Sequence, residues 1–175
     1  MFLASVNIPV IASLLSIGAA PRPTNIGIKD YGGGVKTLNL CPPTPNCIAT
    51  SEEANDQTHY VPAWTYNPED GRGMKKAATQ EQAMAELVAV VKDLKPDGFE
   101  PKIVKQTADY LYLEYTSPTF GFIDDVEFWF KPGPNYRVEY RSASRIGESD
   151  GDANRKRIRA IRQALEKPGW RSVGF

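Results

Sequence analysis

The chain has 175 residues, 41% of them hydrophobic and 24% charged, and its 21 basic and 21 acidic side chains give a formal net charge of zero. That length suits one well-buried domain, and the composition excludes both wholesale disorder and a multi-span membrane protein. The balanced charge excludes attraction of nucleic acid or membrane by the molecule as a whole, so only local patches remain to be considered.

The first twenty residues, MFLASVNIPVIASLLSIGAA, carry no charged side chain and run into Pro21-Arg22-Pro23. They read as a targeting or membrane-associated segment. Gly18 and Ala20 suit a cleavage site, but the basic stretch expected ahead of a secretory core is missing. Asn7 and Pro9 interrupt what would otherwise approach the ~20 apolar residues of a membrane span. A cleaved leader, a membrane-resting anchor and a segment packed on the domain all stay open.

Residues 21–70 are rich in Pro, Gly, Asn and Thr and keep no period of either 2 or 3.6 residues, which predicts an extended, loop-rich arm. Within it, Gly32-Gly33-Gly34-Val35-Lys36-Thr37 imitates a phosphate loop. That motif needs glycine directly before the lysine, and Val35 stands there instead, so a turn is expected. Cys41 and Cys47 lie in LCPPTPNC, where two readings are open: a disulfide, implying an oxidising compartment, or two free thiols. No metal or other cofactor is expected, because structural zinc takes four Cys or His ligands and His59 is the single histidine. His59, in THYVPAW, has the chemistry of a general base. No nucleophile motif accompanies it, and a hydrogen-bonded structural histidine is the plainer expectation.

The folded domain is expected over residues 71–175. Thr79 and Gln82 make a capping-box pattern, and Met84, Leu87, Val88 and Val91 then recur at helical spacing, predicting an amphipathic helix that ends before Lys95-Pro96. Strand patterns follow near Ile103-Val104, at YLYLEY (Tyr110 to Tyr115) and at FIDDVEFWF (Phe122 to Phe130). KPGPN is a turn by composition, and YRVEYRS from Tyr136 is expected to pair back as a hairpin. A helix from about Ala153 to Glu166, with Ile158, Ile161 and Leu165 as its apolar stripe, is stopped by Pro168-Gly169. This order predicts an α+β fold: an antiparallel sheet of about four or more strands, two helices packed on it, and the N-terminal arm.

Neighbours on a strand face opposite ways, so Asp124 and Asp125 cannot converge on one substrate atom. Asp125 and Glu127 share a face roughly 6.5 to 7 Å apart, and the hairpin brings the arginines of YRVEYRS across from them. Structural salt bridges account for this pattern. The functional variant is a polar pocket for an anionic group, built from Ser142, Ser144 and Arg145. In the last helix, Arg155, Arg159 and Arg162 fall on one face. A partner of acidic character, a membrane surface, solvent alone, or pairing with Glu148, Asp150 and Asp152 would each suit that face. Nucleic acid is not expected, since no aromatic residues are interleaved with the basic run.

Taken together and in order, PRPTNIGI, LCPPTPNCIAT, THYVPAWTY, FGFIDDVEFWF, EYRSASRIGESD and NRKRIRAIRQAL resemble the family catalogued as domain of unknown function 1499, over about residues 21 to 170. The chain looks most like the plant and green-algal plastid members. That resemblance implies a chloroplast, thylakoid-associated protein, with the lumenal or stromal side open, and carries no established catalytic residues with it. The leading expectation is a non-enzymatic accessory or assembly subunit of a photosynthetic complex in the thylakoid membrane, docking through its arm and its basic C-terminal helix. The alternative is a domain binding a small anionic ligand or a lipid, a hydrolase included, in which Arg141, Arg145, Ser144 and Asp125 surround the ligand and His59 is the base. A third reading is redox control through Cys41 and Cys47.

Overall fold

The computed structural model describes residues 18–173. The apolar segment expected at the N-terminus therefore lies, over residues 1–17, outside the described residues. Among the described residues no helix is long and apolar enough to cross a membrane.

The centre of the fold is an antiparallel sheet of seven strands. Four long ones lie side by side in chain order: β5 (Glu100–Gln106), β6 (Tyr110–Thr116), β7 (Ile123–Phe130) and β8 (Arg137–Ser144). Beyond β8 come β4 (Trp64–Thr65) and β9 (Arg171–Ser172), and β3 (Cys47–Ala49) pairs with the other end of β8. A separate hairpin joins β1 (Lys29–Asp30) to β2 (Lys36–Thr37). The glycine triplet is its turn, and Gly32, Gly33 and Gly34 all adopt positive φ, which side chains with a Cβ tolerate poorly.

Helix α1 (Arg72–Lys75) is a single turn; α2 (Gln80–Asp93) and α3 (Ala153–Glu166) are full helices. The expected capping box closes α2: Thr79 Oγ1 accepts from the Gln82 amide at 3.1 Å and Gln82 Oε1 accepts from the Thr79 amide at 3.0 Å. Leu87 and Val91 of α2 and Ile161 and Leu165 of α3 pack, fully buried, on one face of the sheet. That face presents Leu111, Leu113 and Tyr115 of β6, Val126, Phe128 and Phe130 of β7, and Val138 and Tyr140 of β8. The alternation of apolar and charged residues along FIDDVEFWF thus sorts onto two faces, as strand geometry requires.

The arm does not stand apart from the domain. Residues 47–65 contribute β3 and β4 to the main sheet, and the chain before them lies across the second face, where Ile26, Ile28 and Leu38 pack on Tyr110, Tyr112 and Trp129. This corrects the expected boundary near residue 70. Strands of two or three residues are too short to show a period, so composition alone made the whole stretch look like loop. Cys41 and Cys47 form a disulfide, which closes the loop leading into β3 and resolves the open thiol question in favour of the bond.

Candidate functional site

The two adjacent aspartates of β7 serve opposite faces. Asp124 points to the helical side, where Arg157 Nη2 donates to its Oδ2 at 2.6 Å. Arg157 also donates to Asn154 Oδ1 at 2.8 Å and Ser142 Oγ at 3.2 Å, and its guanidinium stacks over the rings of Tyr115 and Phe99. The sequence reading missed this residue. The signal was present: Arg157 is spaced i, i+4, i+8 with Ile161 and Leu165, which places it on the buried stripe.

Asp125 points to the other face, where Arg145 holds both its oxygens, Nε donating to Oδ2 at 2.9 Å and Nη2 to Oδ1 at 2.7 Å. Arg145 also donates to Glu114, to the Tyr112 hydroxyl and, at 3.0 Å, to the carbonyl of Ala20. Arg22 reaches back from the arm to Glu114 at 2.8 Å. Burial opposes ionisation of Glu114, but Arg145 and Arg22 outweigh it and hold the carboxyl below its ordinary range. Next along β7, Glu127 is fully buried and accepts from the Tyr110 hydroxyl and the Gly27 amide, both at 2.6 Å. Its register partner Arg141 comes only to 3.6 Å. Burial pushes the Glu127 carboxyl above its ordinary range, against those two hydrogen bonds.

The strand acids are thus one side of a salt-bridged layer between sheet and arm. The pocket expected from Ser142, Ser144 and Arg145 does not form as such. Ser142 and Ser144 bond Asn154 on the helical side, whereas the Arg145 guanidinium lies on the arm side, because alternate residues of an extended segment project oppositely. Arg141, Arg145, Asp125 and Ser144 do border a second space of about 390 Å³ beneath the arm and the disulfide loop.

His59 is not among the residues lining that space. It is buried, with Nδ1 2.8 Å from Asp56 Oδ2 and Nε2 3.2 Å from the Thr44 carbonyl. Asp56 and the Thr44 carbonyl thus occupy both ring nitrogens, and the histidine ties the disulfide loop to the turn before β4. Asp56 in turn is held at about 2 by the Thr58 hydroxyl and amide and then by His59. Its contribution to stability is present above the ordinary carboxylate value and is lost as pH falls through the lowered one. A side-chain NMR titration is expected to place the Asp56 midpoint near 2, and Thr58→Ala to move it up towards 3.8; an unmoved midpoint would show that Thr58 is not the cause.

A concavity of about 940 Å³ lies between α3, the β4 edge and the turn after β7. Val61 and Pro62 supply partly exposed apolar surface over the buried Ile48, Tyr140 and Ile158, and Arg137, Arg155, Arg159, Arg162 and Arg171 line it with positive charge. Glu69, Asp70 and Glu166 line it too, so five arginines face three carboxylates. The three helix arginines singled out by spacing are therefore brought together. Arg155 donates to the Thr58 carbonyl and Arg162 pairs with Glu166, whereas Arg159 makes no ion pair among the described residues. The acids before the helix do not neutralise it: Asp150 accepts from the Asn154 amide and side chain and caps the helix start. Among the described residues no group of three or more His, Cys, Asp or Glu side chains is placed to hold a metal ion.

Residues 37–165 match a family described as "Protein of unknown function (DUF1499)". No curated protein matches the chain.

Proposed function

The chain belongs to the DUF1499 family, and from that premise we propose that it is a non-enzymatic binding module whose arginine-lined groove docks an acidic, partly apolar segment of a partner protein. The observation that carries this reading is the groove itself. It has the volume of a ligand site, apolar surface to desolvate the partner and a net excess of guanidinium groups, which recognise carboxylates with two nitrogens at once. Among the described residues that line it, none pairs a nucleophile with an oriented base. In its cellular setting the module is an accessory or assembly subunit of a thylakoid protein complex, a placement that rests on the resemblance of its motifs to the plastid members.

The arm is less suited to docking than the sequence suggested, because residues 20–46 are spent on the sheet face through Arg22, Gly27 and Leu38. The groove takes over that role. Its partly exposed apolar residues, Val61 and Pro62, also favour a second reading, in which an anionic amphiphile with an alkyl chain occupies it.

Native-gel separation of the endogenous protein after gentle solubilisation tests the proposal. Wild type is expected to migrate with a larger complex, and Arg155→Glu/Arg159→Glu/Arg162→Glu as a free 19.4 kDa species. Free migration of the wild type with a bound amphiphile would establish the second reading. A variant that stays in the complex would remove the groove from the interface.

A further inference from the structure

The space beneath the arm is lined by a buried arginine that its one acidic neighbour among the described residues does not reach at hydrogen-bond distance. Arg141 is 4% exposed, yet among the described residues it donates no hydrogen bond, and its one ionic contact, to Glu127 Oε2, is 3.6 Å long. Its Nε is buried without a partner, as are Glu127 Oε2 and Asn25 Oδ1. A buried guanidinium without hydrogen-bond acceptors is costly. Its neighbour Arg145 shows the contrast on the same strand face: that guanidinium is saturated by Asp125, Glu114, Tyr112 and Ala20.

Arg141 and Asn25 both line the cavity of about 390 Å³ that the disulfide loop roofs with Cys41 and Pro42. Asp125 borders it as well, but its charge is already matched by Arg145. Glu127, which stands opposite Arg141 in the register, approaches it only to 3.6 Å and spends its other oxygen on the Tyr110 hydroxyl and the Gly27 amide, so among the described residues no hydrogen bond satisfies the guanidinium. We propose that this cavity is a binding site for a small oxyanion, a carboxylate or a phosphate, held by the Arg141 guanidinium and by the side-chain NH2 (Nδ2) of Asn25, whose Oδ1 is left to accept from ordered water. The volume admits the anionic head of a small metabolite together with ordered water, and a guanidinium fork matches either oxyanion. The site lies on the opposite face of the sheet from the α3 groove, so it stands or falls independently of the docking proposal.

Arginine Nε–H spectra of the full chain, titrated with phosphate or acetate against chloride at matched ionic strength, test it. One Nε–H resonance, identified by its loss in Arg141→Lys, is expected to shift saturably with one of the two oxyanions, and calorimetry to give one-to-one binding. Asn25→Leu, which leaves the ion pairs of the sheet untouched, is expected to weaken that binding at least ~10-fold, the effect of losing one hydrogen bond to a charged group. Shifts that merely follow ionic strength, or binding unchanged in both variants, would overturn the proposal. The oxyanion that saturates at lower concentration decides between a carboxylate and a phosphate ligand.

Discussion

Replacing Arg157 with leucine is expected to lower the free energy of unfolding by about 3–5 kcal/mol, the range for breaking a buried ion pair from one side. Arg157 is 1% and Asp124 2% exposed, so neither charge has water to fall back on. Leucine fills part of the volume and packs well on Tyr115 and Phe99, which works against the loss. It cannot replace the hydrogen bonds to Asp124, Asn154 and Ser142, and the stranded carboxylate dominates. Removing both charges together, Asp124→Asn/Arg157→Leu, is expected to cost less than Arg157→Leu alone, because no buried charge is then unpaired. Urea denaturation of the wild type, both single variants and the pair closes the cycle. A single-variant loss below about 1 kcal/mol would mean that Asp124 finds water or another partner in place of Arg157.

Replacing Arg145 with alanine is expected to loosen the arm as well as the domain. The side chain joins β6, β7 and the arm at one point through Glu114, Asp125 and the Ala20 carbonyl. Its loss leaves Asp125, 1% exposed, with only the Tyr112 hydroxyl at 2.5 Å. A destabilisation of about 3 kcal/mol follows from the same asymmetry of buried pairs. The arm should also open ahead of global unfolding, so limited proteolysis is expected to cut between residues 18 and 46 in the variant first. Arg145→Lys keeps a charge but not the two-pronged grip, and should recover only part of the effect.

The acid limb of the stability curve carries a second signature of the same arginine. Glu114 is held below its ordinary value of 4.5 by Arg145 and Arg22 against burial. The stability it contributes is fully present above 4.5 and is lost as pH falls through the lowered value. Glu127, raised by burial, acts oppositely: its destabilising contribution is absent at low pH and develops as pH rises through the raised value. In Arg145→Ala the Glu114 contribution is expected to shrink and the acid limb to flatten. Denaturation midpoints measured between pH 3 and 7 check this; an unchanged slope would assign the acid limb to other groups.

The amino-acid sequence by itself determined the elements that repeat. Apolar residues at helical spacing marked α2 and α3, the Thr79–Gln82 box marked where α2 starts, and alternation over seven or eight residues marked β6, β7 and β8. The same alternation separated Asp124 from Asp125 and turned an apparent catalytic pair into two structural ones. It also placed Arg155, Arg159 and Arg162 on one face, since that grouping depends only on helical geometry.

Only the tertiary structure decided what those faces meet. Trp64 and Ile48 are core residues because the short strands β4 and β3 add to the edge and end of β8, a pairing between residues 72 to 96 positions apart (Thr65 with Arg137, Cys47 with Ala143) that leaves no local period. Arg157 looks like one more member of a basic run until Asp124, 33 positions earlier, is brought beneath it. His59 and Arg141 show the same dependence: both offer nitrogen donors in the sequence, yet among the described residues His59 ends between two acceptors and Arg141 donates no hydrogen bond, with Glu127 no nearer than 3.6 Å. A side chain's partners are fixed by long-range packing. Periodicity along the chain reports which way it points, but not who stands opposite.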